Sequence, residues 1–166
     1  MNAPAQSDNP QAASDQAPPQ LFQIEKLYVK DLSLEVPNAP QVFMQEESPK
    51  LEIAVSNDAV QFSDTLFEAT VTVTVTARAG DKTVFLAEAA QAGIFTARGI
   101  SPQDLEPLLG IACPTILFPY VREAISDLVM RRGFPAVVLA SVSFEQIYME
   151  RRKQQAAAGA GAEIAN

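Results

Sequence analysis

Histidine and tryptophan are absent from the chain, and cysteine occurs once, at Cys113. Without histidine the commonest general base is missing, and with it the Ser-His and Cys-His nucleophile pairs. A zinc centre, which needs clustered cysteine and histidine, has nothing to draw on. A lone cysteine excludes an intrachain disulfide framework and fits a reducing compartment. Standing before Pro114 in an apolar stretch, Cys113 reads as a small buried hydrophobe rather than a reactive thiol. Neither phosphate-cradling glycine loop is present, and the glycines at 80, 93, 99, 110 and 133 are scattered singly. No run of 18 apolar residues occurs, so no membrane-spanning segment is expected. The N-terminus lacks the basic-then-apolar order of a signal peptide, which points to a cytoplasmic protein. Basic charge is also short: 12 Lys and Arg against 20 Asp and Glu leave a net charge of −8. Nucleic-acid backbones and anionic membranes would repel such a chain. No cofactor or metal is expected. An enzyme would have to work with carboxylates alone, and the paired Glu46-Glu47 lie in a loop-like segment where solvation explains them.

Apolar residues are plentiful. Of 166 residues, 48% are hydrophobic and nine are Phe, enough for the core of one domain. Residues 1–20 hold four Pro, four Gln and no large apolar residue except Met1. They cannot offset the entropy of being ordered, so they are expected to be disordered. The domain is expected over 21–157, with a mobile Ala/Gly-rich tail over 158–166. Negative charge gathers in the first part of the domain: residues 21–97 carry eleven acidic and five basic residues, residues 98–166 seven of each.

The hydrophobic period changes once. Phe67 to Arg78 alternates Val and Ala with Glu, Thr and Arg, the pattern of a half-buried antiparallel strand. Gly80-Asp81 supplies a turn, and Lys82–Thr96 returns as the second arm of a hairpin. Leu21–Val36 predicts a long strand with Phe22, Ile24, Tyr28, Leu32 and Leu34 on one side. Lys50–Phe62 predicts another, with Leu51, Ile53 and Val55 facing one way. After Gly99 the spacing is helical. A short helix is expected near Pro102–Leu109. Val121, Ile125 and Leu128 then mark a longer helix that ends at Gly133, with its start left open by Pro114 and Pro119. A final helix opens at Ser143-Phe144-Glu145-Gln146, a capping box. The fold class predicted is therefore α+β: a four-stranded antiparallel sheet followed by two main helices packed on one face, in two layers.

Two helices cover one sheet face, and two loops carry further apolar side chains. Val42, Phe43 and Met44 lie next to Glu46 and Glu47, and Phe134, Val137, Val138 and Leu139 follow Gly133. Apolar loops flanked by charge mark either a binding groove or a subunit interface, and composition leaves both open.

Three blocks add a family resemblance: YVKDLSLEVPNAP (Tyr28–Pro40), QAGIF (Gln91–Phe95) and CPTILFPYVREAISDLVMRRGFP (Cys113–Pro135). Their order and content, from about Phe22 to Met149, resemble the protein-export chaperone family SecB. The resemblance implies a holdase without nucleotide hydrolysis that binds unfolded precursor proteins and delivers them to the translocation ATPase SecA. It implies a homotetramer, a dimer of dimers with the long helices at the dimer-dimer contact. Carried over position by position, the SecA-binding set is Asp31, Glu35, Leu86 and Glu88, and the client groove is Val42, Phe43, Phe134, Phe144, Ile147 and Tyr148. Where family members often carry Trp in the crossover loop, this chain has Gln45-Glu46-Glu47. Its C-terminal tail is Ala/Gly-rich rather than acidic. The rival expectations are a purely structural oligomer and a carboxylate-dependent enzyme.

Overall fold

The structure is a computed structural model describing residues 19–44 and 46–163, without the side chains of 159–163. Of the two expected tails, residues 1–18 and 164–166 thus lie outside the described residues. Four antiparallel strands, β1 (Leu21–Glu35), β2 (Lys50–Gln61), β3 (Leu66–Ala79) and β4 (Lys82–Arg98), form one sheet in the order β1-β4-β3-β2. The alternation in β3 sorts its side chains as anticipated. Val71, Val73 and Val75 are fully buried, while Thr70, Thr72, Thr74 and Thr76 lie on the opposite face. Gly80, with φ 55°, makes the β3–β4 turn in a left-handed conformation that a side chain would oppose.

β1 departs from simple alternation. Its pairing with β4 slips between Ile24 and Lys26 and again between Val29 and Asp31. Each bulge inserts a residue and changes which parity faces the core. Tyr28, expected beside Phe22 and Leu34, instead stands opposite Ala92 on the face of the Thr row.

The helices cover the other face. Ser101 caps α1 (Pro102–Pro107), its hydroxyl accepting from the Asp104 N–H at 3.2 Å. A π-turn over Leu108–Ala112 follows, in which the Cys113 N–H reaches the Leu108 carbonyl. α2 (Cys113–Arg131) starts there, which settles the start that the prolines had obscured. Pro114 occupies the first turn of α2, directly after the π-turn. Pro119 is inside the helix, and Thr115, whose carbonyl loses its partner, is exposed. Cys113, Leu117, Val121, Ile125 and Val129 recur every four residues, are fully buried, and belong to one core with β3 and β4. Each such aliphatic side chain contributes about 1.5–3 kcal/mol. The helical stretch Pro102–Arg131 is long and apolar enough, by length and composition alone, to cross a membrane. That corrects the expectation drawn from counting apolar runs. In this fold its buried stripe is the sheet's cover.

Residues 134–143 run without regular structure to α3 (Phe144–Glu163). Ser143 Oγ accepts from the Gln146 N–H at 3.3 Å, as the capping box requires. The helix continues past Ala157, where a tail was expected to begin.

Candidate functional site

The segment between β1 and β2 makes a short 3-10 turn, Gln41–Met44, and is fastened by Asn38, whose Nδ2 donates to the Thr83 carbonyl at 2.9 Å. The turn tucks Val42 into the core and leaves Phe43 51% exposed. Gly133 ends α2 with φ 87°, and its position beside the Phe43 ring brings Phe134 within reach. Phe134 stacks on Phe43 at 5.1 Å between centroids and meets Phe85 of β4 at 4.8 Å with the rings tilted by 43°. These rings, with Val42, Leu51 and Val137, line a cavity of about 360 Å³, with Glu47 at its rim.

From that cavity the apolar wall continues along β2. Leu51 and Ile53 pair with Ala77 and Val75, so they share the helix-bearing face. No helix covers them: they are 44% and 46% exposed. Farther along β2 a second, more polar cavity of about 270 Å³ lies between Asn57 and α3, lined by Gly110, Tyr148, Arg151 and Arg152 among others.

The six residues assigned to a client groove therefore divide. Val42, Phe43 and Phe134 come together. Tyr148 stands at the second cavity, and Ile147 is partly buried against the core. Phe144 is not available at the surface. It is 2% exposed and packs edge-to-face on Phe118 at 5.8 Å, because the first residue of α3 is the one that anchors the helix. Leu51, Ile53, Phe85 and Val137 were not assigned to the groove, although the alternation of β2 already aligned Leu51 with Ile53.

The face without helices carries the acidic set. Glu35 pairs with Leu86, Glu88 with Ser33 and Asp31 with Ala90, and this register puts all four assigned residues on that face. Thr74 donates to Glu88 at 2.8 Å. Glu68, also on this face, is 6% exposed and accepts from Lys30 at 2.8 Å and from the Tyr28 hydroxyl. Lys30 foremost, then Tyr28, holds the Glu68 carboxyl below the usual range, while Glu68 raises the Tyr28 hydroxyl. The second bulge in β1, between Val29 and Asp31, lets Tyr28, Lys30 and Asp31 all serve this one face.

Burial pushes the Cys113 thiol up to about 12, so the reactive thiolate is suppressed. Among the described residues no group of three or more Cys, Asp or Glu side chains is placed to hold a metal ion.

The family model described as preprotein translocase subunit SecB matches residues 14–155. A protein-export protein SecB of Chromobacterium violaceum is 56% identical over 138 residues, which are 83% of this chain and 92% of that protein. That of Methylobacillus flagellatus is 52% identical over 147 residues, covering 89% and 92%. Among solved structures, the Mycobacterium tuberculosis Rv1957 SecB-like chaperone, in complex with a ChAD peptide from the Rv1956 HigA1 antitoxin, superposes with a TM-score of 0.60. It is 17% identical and covers 73% of this chain and 90% of that one, a likeness of fold.

Proposed function

We propose, from the premise that this chain belongs to the SecB family of preprotein translocase subunits, that it holds precursor proteins on the apolar surface between the Phe43–Phe134 cavity and β2. As a protein-export chaperone it keeps precursors unfolded and passes them to SecA, and the family is not enzymatic. The carrying observation is the continuity of that surface: a ring-lined cavity that opens onto Leu51 and Ile53, apolar side chains that face the helices and are left uncovered. A holdase must accept many sequences, and aromatic pockets beside an open strand recognise apolar, extended chain without a polar code. By binding the unfolded state it draws the client's folding equilibrium away from the native form.

In this reading Val42, Phe43 and Phe134 contact client directly. Ile147 and Tyr148 bound the far end of the surface, and Phe144 supports it from beneath. The protein works in the cytoplasm as a homotetramer, a dimer of dimers with the long helices at the dimer-dimer contact. Two features favour assembly. β1 is an edge strand with Ile24, Val29 and Leu32 exposed, and α2 leaves Tyr120 and Met130 exposed. SecA docks on the opposite face through Asp31, Glu35, Leu86 and Glu88. A purely structural oligomer would leave the cavity without a purpose.

The test is refolding of a reduced, slowly folding model client with and without the full chain. The expected result is arrest of refolding by the wild type and weaker arrest by Phe43→Ser at unchanged melting temperature. Refolding at the spontaneous rate in both would sink the reading.

A further inference from the structure

Strand β2 is an edge of the sheet, and its free backbone groups can be assigned. Across the β2–β3 turn the Phe62 N–H donates to the Leu66 carbonyl at 2.9 Å, so that pair is a hydrogen-bonding one. In an antiparallel ladder bonded and non-bonded pairs alternate. Asn57, opposite Val71, falls on a non-bonded pair, as do Leu51, Ile53 and Val55. Their N–H and C=O groups point away from β3, to the open edge. These are the same residues whose side chains face the helices, and Leu51 and Ile53 are exposed. Such an edge is a template for pairing with another strand.

Among the described residues, one side chain from another element donates to it. Arg151 of α3 donates through Nη2 to both the Asn57 carbonyl and Asn57 Oδ1, each at 3.3 Å. We propose that Arg151 guards the β2 edge against pairing with the β2 of a second copy of this chain. The sequence of β2 would otherwise favour that pairing. With two copies antiparallel about Ala54, Lys50 stands opposite Asp58 of the other copy and Ile53 opposite its Val55. The same register makes Leu51 and Asn57 a bonding pair, so the Asn57 carbonyl is needed at both ends of the ladder. The arginine occupies it at both ends. The guard stands independently of what the adjoining surface binds.

Light scattering on the full chain across a concentration series tests this. Arg151→Ala is expected to form species beyond the wild-type assembly, with average mass rising about twofold as concentration increases. Arg151→Lys, which keeps a donor of similar reach, stays at the wild-type mass. Adding Ile53→Lys to Arg151→Ala places charge on the paired strands and returns the mass to the wild-type value. Arg152→Ala removes a neighbouring α3 contact, with Glu106 and Tyr148, and leaves Asn57 covered, so it is expected to show no excess mass. Should Arg151→Ala melt early, Arg151→Gln, too short to reach Asn57, must show the same rise. Wild-type mass for both Arg151→Ala and Arg151→Gln, or an equal rise for Arg152→Ala, overturns the proposal.

Discussion

An alanine at position 110 would put its methyl carbon 2.8 Å from a ring carbon of Tyr148. Glycine is therefore needed there for close approach, since it lets α3 seat its aromatic ring on the π-turn. Gly110→Ala is expected to lower stability by about 1–3 kcal/mol, the usual range for overpacking. A thermal melt checks it, and pairing it with Tyr148→Ala should remove most of the penalty because the obstacle is gone. Glu68 gives a pH dependence of definite sign. Its folded carboxyl sits below the ordinary value, so the charged form is favoured in the native state. The stability it contributes is present above the unfolded value of about 4.3 and is lost as pH falls through the folded one. Glu68→Gln should therefore melt below the wild type at pH 7, with the gap closing below about pH 4. A constant gap across that range would mean that packing, not charge, holds the site.

Among the elements, α3 and the 3-10 turn Gln41–Met44 show how differently two phenylalanines can serve. Phe144→Ser opens the core against Phe118 and is expected to cost at least about 3 kcal/mol, whereas Phe43→Ser changes an exposed ring and should cost little. Urea unfolding of both variants makes the comparison. The strands were legible in the sequence because the Val/Thr alternation of β3 and the Gly80-Asp81 turn act locally, and the Ser143 cap was legible for the same reason. The β1 bulges were not, since an inserted residue leaves no mark except in pairing with a strand far along the chain. The π-turn was hidden in a run where Pro114 and Pro119 left the start of the longer helix open, and the tertiary contacts of the Leu117–Val129 stripe override the preference of those prolines. The acidic set was placed on one face because even spacing survives between Asp31 and Glu35, which lie beyond the second bulge. Loop residues Phe43 and Phe134 meet, whereas burial of Phe144 depends on the angle at which α3 enters, which its cap does not specify.

The molecule as a whole has one covered face, one acidic face and two open edges, and its assembly follows from how these are used. Light scattering should give about four times the 17.9 kDa chain mass at micromolar concentration. Glu88→Lys reverses charge on the acidic face at a stability cost within about 0.5 kcal/mol and should weaken SecA binding in calorimetric titration. Raising salt should weaken the wild-type contact as well, as the screening length shrinks to roughly 8 Å and below. Equal affinities for the two proteins, both tetrameric, would leave that face a matter of solubility. The strand order carries a further consequence, for the time before the molecule exists. β2, β3 and β4 are neighbours both in sequence and in the sheet, so each can pair as soon as the next is synthesised. β1 is made first but pairs only with β4, the last strand made. Its apolar row must wait on the ribosome for a partner, and closing that long loop is the entropically costly step. A protein that keeps the precursors of others unfolded begins its own life with an unpaired strand exposed.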